Sequence, residues 1–245
     1  MVRASPQPAR PRALVAWSSG KDAAWTLHAL QRAGRVEVAG LLTTLSERAR
    51  RVPVHGVRET LVARQARAAG LPLRRVPLPW PCPNAQYEAR MAEALAAARA
   101  DGVTHVAFGD LFLEDVRRYR EAQMAACGLE PLFPLWGRDT RALVHEMLAA
   151  GLRARITCID PRALAPTFVG CELDTALLAA LPPHVDPCGE RGELHTFVWD
   201  GPMFRAPVPV RTGAVTEQDG FVVADLLPED RTEDLPGEPP AAGDA

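Results

Sequence analysis

Residues 13–23 read Ala13-Leu14-Val15-Ala16-Trp17-Ser18-Ser19-Gly20-Lys21-Asp22-Ala23. The apolar run Ala13 to Trp17 predicts a short buried strand, after which the chain turns abruptly small and polar. From Ala23 an amphipathic helix pattern begins, with Ala24, Leu27, Leu30 and Gln31 about one turn apart. A strand that ends in Ser-Ser-Gly and feeds straight into a helix is a device for holding phosphate. The first N–H groups of the helix have no partners inside it, and the summed peptide dipoles favour negative charge there. Gly20 permits close backbone approach, and Ser18 and Ser19 add hydroxyl donors. The chain has 28 basic residues, and all but Lys21 are arginine. A lysine used only here points to a need for a compact, three-donor ammonium. The plain alternative is a tight strand-to-helix turn in an arginine-rich chain.

Working outward, helix 23–34 is stopped by Gly34, and Val36 to Thr43 predict a second strand. Val52-Pro53-Val54-His55-Gly56 leads to a helix over 56–69, closed by Gly70, and Leu73 to Val76 form a third strand. A proline-rich loop, an alanine-rich helix over 85–100, a strand over Val103 to Phe108 and a helix over 114–127 follow. Strand and helix thus alternate with crossover-length connections, which predicts an α/β fold, a doubly wound parallel sheet covered on both faces. In such sheets the ligand sits beyond the carboxyl ends of the strands, at the switch point beside the first strand. Ser18 to Asp22, Thr43, His55, Gly109 and Asp110 should then converge. From about residue 130 the texture changes. A helix over 140–150, a strand over 155–159, a helix near 174–181 and short strands near 195–199, 206–210, 214–216 and 220–226 predict a second, smaller α+β domain. The divisions expected are an N-terminal arm 1–12, a nucleotide domain 13–130, a cleft domain 131–227 and an acidic, Pro/Gly-rich, disordered tail 228–245.

Composition narrows the function. A net charge of −2 supplies no field to draw in nucleic acid. The five cysteines are widely spread with no C-x-x-C pair, which fits reduced thiols in a cytoplasmic protein. No window is apolar enough for a membrane span, and the N-terminus lacks a signal-peptide run.

Three segments carry a resemblance. Ser18-Ser19-Gly20-Lys21-Asp22-Ala23 resembles the SGGKDS loop of the N-type ATP pyrophosphatases, the PP-loop enzymes that split ATP into AMP and pyrophosphate. It departs at Ser19, where the family has glycine, and at Ala23, where it has serine. It is not the mononucleotide P-loop, whose glycines are spaced differently. Residues 131–139 match a P-x-W-G-R-D segment. Asp186-Pro187-Cys188-Gly189-Glu190-Arg191-Gly192-Glu193-Leu194-His195-Thr196-Phe197 is similar to the G-E-x-G-E-[FL]-[HE]-T-F motif. Together they mark the diphthine–ammonia ligase branch of these enzymes, over about residues 13–210.

The resemblance implies a Rossmann-like, HUP-type ATP-binding sheet and ATP-dependent amide ligation. A carboxylate is adenylated, pyrophosphate leaves, and ammonia displaces AMP. It implies that Ser18, Ser19, Gly20, Lys21 and Asp22 hold the phosphates, with Arg117 in register; the strand ends Thr43, Gly109 and Asp110 are expected beside the nucleotide, and Asp22 is a candidate for Mg2+. Lys21, Asp22, Glu190 and Glu193 would carry catalysis. His55, Arg138, Asp139, Cys188, Gly189, Glu190, Gly192, Glu193, His195 and Thr196 would meet the acceptor, a small molecule or a modified protein residue. Arg191 stands where a small or amide residue is usual, which leaves the acceptor open between diphthine and another carboxylate.

Simpler roles stand beside these. Asp22 suits the first turn of any helix, His55 can cap or pack, and His195 can be a satisfied structural histidine. Arg117 to Arg120 read as a mainly solvated face. Cys188 is a candidate nucleophile only if something lowers its pKa. A tRNA-modifying PP-loop enzyme and a non-catalytic nucleotide-binding module are the rival readings. The oligomeric state is open, a homodimer included.

Overall fold

The computed structural model describes residues 10–229. The N-terminal arm and acidic tail expected from sequence therefore fall almost wholly outside the described residues. Five strands form a parallel sheet: β1 (Arg12–Ala16), β2 (Glu37–Ser46), β3 (Leu73–Leu78), β4 (His105–Ala107) and β5 (Glu130–Leu132), in the order β3-β2-β1-β4-β5. Between them run α1 (Lys21–Ala33), α2 (Glu59–Ala69), α3 (Asn84–Ala100) and α4 (Glu114–Cys127). Alternate residues of β1 feed opposite faces, as a period of two requires. Val15 packs with Leu27 of α1 and Leu61 of α2, whereas Leu14 packs with Leu95 of α3 and Met124 of α4. The sheet is therefore wound on both faces, and its order reverses between β1 and β4.

The second part is α+β. Helices α5 (Thr140–Ala149) and α6 (Thr175–Ala180) accompany an antiparallel sheet of β6 (Arg153–Ile159), β7 (Leu194–Asp200), β8 (Val210–Gln218) and β9 (Phe221–Pro228), in the order β7-β6-β9-β8. The β-rich end is as expected, but the short strands near 206–210 and 214–216 resolve differently. Residues 206–209 are irregular, and Val210–Gln218 is one long strand paired with β9. Nor is the segment after α4 only a connection, since Glu130–Leu132 pairs with β4 and extends the parallel sheet.

One apolar cluster runs through both sheets, joining Val15, Leu27 and Leu61 to Ile156 of β6, Phe197 of β7 and Val222 of β9. The edge strand β7 is also hydrogen-bonded to the turn after β1, with Val198 N–H donating to the Ser19 carbonyl at 3.0 Å. No helix among the described residues is long and apolar enough to cross a membrane. All five cysteines are free.

Candidate active site

A cavity of about 330 Å3 opens at the carboxyl ends of β1 and β4, at the switch point. Its walls come from both parts of the molecule: Ser18, Gly20, Lys21 and Asp22 from the turn into α1, Gly109 and Asp110 after β4, and Gly189, Glu190, His195 and Thr196 from the far side. The turn is held by residues from other segments as well as by its own side chains. Ser19 is fully buried with φ of 76°, the left-handed conformation that suits the glycine of the SGGKDS pattern. Buried Gln65 fixes it, accepting from Trp17 Nε1 at 2.9 Å and donating Nε2 to the Ser19 and Val198 carbonyls at 3.0 and 2.7 Å. Gln65 carries no motif, so nothing in the sequence marks it as the brace.

Gly20 begins α1. A Cβ there would stand 3.2 Å from His55 Cε1 and 3.2 Å from the Thr196 carbonyl, so the turn is closely walled. Gly109 presses on the first turn of the helix, where a Cβ would come within 2.9 Å of the Asp22 carbonyl carbon. The Lys21 N–H donates across the cavity to Thr196 Oγ1 at 3.1 Å.

Lys21 itself is only 2% exposed. Its Nζ donates to Asp22 Oδ2 at 2.8 Å and to the Cys188 carbonyl. Burial opposes the ammonium charge, but Asp22 and the other acidic groups around it hold its pKa above the usual value. The lone lysine thus pins the turn of α1 to the 186–193 loop.

That loop is closed by its acids. Asp186 Oδ2 accepts from the Glu190 N–H at 2.9 Å, while Glu193 Oε1 and Oε2 accept from the N–H groups of Asp186 and Arg191. Gly189 has φ of 68°, and a Cβ there would strike the Leu194 carbonyl. Glu190 alone of the motif's glutamates reaches outward, its Oε1 accepting from Leu111 N–H at 2.7 Å. Burial pushes its carboxyl up to about 7, with Asp22 and Asp110 adding to the rise. Burial likewise pushes the Cys188 thiol up to about 12, and its Sγ lies against the Thr140 carbonyl. That thiol stays protonated at neutral pH, so Cys188 serves through its carbonyl and not as a nucleophile.

His55 and His195 meet in the cavity with ring centroids 4.5 Å apart. Across it Arg120 of α4 lies over the Phe108 ring at 5.0 Å, its Nε 3.8 Å from Asp110 Oδ2. Neither atom has a hydrogen-bond partner. Sequence reading favoured Arg117 of this helix. Arg117 instead stacks over Phe133 and Trp136 and pairs with Glu121 at 2.8 Å. The two arginines are three residues apart on one helix, so only the packing of α4 decides which faces the cavity.

Six more expected residues do not line it, the fully buried Ser19 among them. Thr43 is buried within β2, and Gly192 and Glu193 belong to the closed loop. Arg138 pairs with Glu146 at 2.5 Å, and Asp139 caps α5 by accepting from the Ala142 N–H at 2.7 Å. The W-G-R-D segment therefore builds the start of α5 rather than a wall of the cavity.

Residues 139–223 match the family described as the diphthamide synthase C-terminal domain. The diphthine–ammonia ligase of Danio rerio is 32% identical over 135 residues, which cover 49% of this chain and 53% of that protein. That of Rattus norvegicus is 30% identical over 141 residues, covering 51% and 52%. The Schizosaccharomyces pombe ligase is 29% identical over 113 residues, 44% of this chain and 19% of its own length. The chain spans about half the length of the first two of these relatives. These matches bear out the resemblance to the diphthine–ammonia ligase family that the Ser18–Ala23 turn, the Trp136–Asp139 segment and residues 186–197 carry.

Proposed function

We propose that this protein is an ATP-dependent ligase that makes an amide from a carboxylate-bearing acceptor and ammonia, releasing AMP and pyrophosphate. The observation that carries this reading is the shared cavity, with an anion-binding turn on one wall and the acidic 186–196 segment on the other. Its similarity to proteins named diphthine–ammonia ligase supplies the reaction class.

The turn of α1 would receive the phosphate chain on its backbone N–H groups, with Ser18 Oγ beside them. Arg120 lines the cavity with no hydrogen-bond partner on its Nε and would meet that chain, whereas Lys21 is already committed to Asp22 and Cys188. Lys21 keeps the turn in place and lends its charge to the departing pyrophosphate. Asp22 Oδ1 and Asp110 Oδ2 are buried without hydrogen-bond partners. Such hard oxygens suit Mg2+, which takes few protein carboxylates and completes its shell with phosphate oxygens and water. Among the described residues no group of three or more His, Cys, Asp or Glu side chains is placed to hold a metal ion. Asp22 and Asp110 would then hold Mg2+, which would neutralise charge on the leaving pyrophosphate.

In the first step an acceptor carboxylate oxygen bonds to the α-phosphorus as the bond to pyrophosphate breaks. In the second, ammonia bonds to the acyl carbon, AMP departs, and one proton leaves the nitrogen. Glu190, with its carboxyl near 7, is matched to take that proton at neutral pH. Enclosure between the two sheets limits hydrolysis of the acyl-adenylate.

The test supplies ATP, magnesium and ammonium with a panel of carboxylates that includes diphthine. AMP should appear in step with a product in which a carboxyl has become an amide. Absence of nucleotide affinity by calorimetry would overturn the reading. Tight ATP binding with no AMP from any acceptor would favour a binding module instead.

A further inference from the structure

Two imidazoles line the cavity with no role in the chemistry above. His55 rides on the 51–58 loop, which an Arg51–Arg58 bridge closes and β9 clamps. Asp225 of β9 accepts from Arg51 and Arg58 at 2.9 Å each, and Gly56 sits so close to Val223 that a Cβ would come within 2.7 Å of it. This clamp sets the His55 ring against Gly20, the start of α1, and against His195 of β7. The Thr196 backbone favours protonation of the His55 ring, while its Nδ1 is buried with no hydrogen-bond partner. That assigns the proton to the nitrogen facing Thr196 and leaves a lone pair on Nδ1. Burial first, then His195 and Lys21, hold His55 well below the usual histidine value, and burial with Lys21 brings His195 down to about 4. Both rings are therefore neutral in the free protein at neutral pH. The charged and titratable groups around them are Lys21 and Asp22 from α1, Asp110 after β4, Arg120 from α4, and Cys188 and Glu190 from the 186–193 loop.

A phosphate chain changes that balance. It is an acceptor-only ligand, and a bare Nδ1 lone pair beside it would be acceptor against acceptor. Its negative charge also offsets the lysine that now disfavours an imidazolium. Two rings in contact cannot both carry charge cheaply, so the pair titrates as a unit. We propose, on the reading that residues 18–22 seat a phosphate chain, that His55 and His195 form a second wall of that anion site. When the chain binds, the pair takes a proton from solvent onto His55 Nδ1 and meets the phosphate as an imidazolium.

The experiment uses the full chain labelled with 13C at histidine Cε1, with magnesium-free pyrophosphate as the probe at about pH 7. Signals are assigned with His55→Asn and, independently, His195→Asn. Saturating pyrophosphate should move the His55 signal from its neutral to its imidazolium position. Calorimetry in buffers of different ionisation heat should show uptake approaching about one proton. Most of that uptake should persist in Glu190→Gln, which removes the cavity carboxyl with a raised pKa, and vanish in His55→Asn. His55→Asn should also weaken pyrophosphate binding by about tenfold, the loss of one charge-assisted hydrogen bond. Bound pyrophosphate with both rings neutral, or uptake undiminished in His55→Asn, would overturn this inference and leave the ligase reading standing. No binding of pyrophosphate or ATP would end both. Should His55→Asn fail to fold, the wild-type spectrum assigned through His195→Asn decides.

Discussion

Ser19 shows how much a single position can hold against its own preference. Its left-handed φ costs an L-residue about 1–2 kcal/mol, and its hydroxyl is buried without a partner. Ser19→Gly should therefore stabilise the fold by about 0.5–1 kcal/mol, even after the extra freedom of the unfolded glycine. A higher denaturation midpoint with unchanged slope checks this, and a lower midpoint would show that the hydroxyl packs productively. Lys21→Ala should cut pyrophosphate release by about 100- to 1000-fold, the usual effect of removing one preorganised charge donor. It should also lower stability by about 1–3 kcal/mol, since Asp22 and the Cys188 carbonyl lose their donor. Near-normal turnover in that variant would remove the lysine from the reaction. For Glu190 the sign follows from a raised folded pKa, near 7 against about 4.5 for the free side chain. The folded state holds its proton more tightly, so this group's contribution to stability declines as pH rises from about 4.5 to 7 and is flat above. Across that window Glu190→Gln should gain on wild type in paired melts, and a constant difference would refute the shift.

Helix α1 and strand β4 meet where the element scale matters most. Gly109 is legible in sequence as the end of a strand. Only the packed structure shows that its missing Cβ lets the loop after β4 touch the Asp22 backbone. Gly109→Ala should push the first turn of α1 aside, cost about 1–3 kcal/mol by overpacking, and weaken ATP binding. Titration calorimetry beside a melt distinguishes this from a loss of stability alone, because Gly109→Ala should then alter affinity well below the melting range. The helices themselves were readable: α4 was expected over 114–127 and is observed as Glu114–Cys127. Its orientation was not. The sequence does not say how far a helix is rolled about its axis when so many residues on one face are arginine. That roll gives Arg120 to the cavity and Arg117 to Phe133 and Trp136.

At the scale of the whole molecule the site exists because two sheets share a core and trade hydrogen bonds across it. Asp225, on β9 of the antiparallel sheet, accepts from Arg51 and Arg58, which bracket the His55 loop of the parallel part. Asp225→Ala should cost about 1.5–3 kcal/mol, as removal of hydrogen bonds to a charged group does. It should also free the 51–58 loop, read as faster amide exchange at residues 52–57 than at β1; protection left intact there would show that the Gly56–Val223 packing suffices.

The sequence by itself determined the doubly wound sheet, its switch point, the small polar turn into α1 and the family resemblance of residues 186–197, because strand and helix periods and motif spacing are local properties. Only the tertiary structure decided which residues share the cavity. It set Glu193, Arg138 and Asp139 to local bracing, kept the Cys188 thiol protonated, and recruited Gln65 and Arg120, which no motif marks. The reason is physical: burial, helix roll and hydrogen-bond partnership arise between segments distant in the chain, and no local pattern records them.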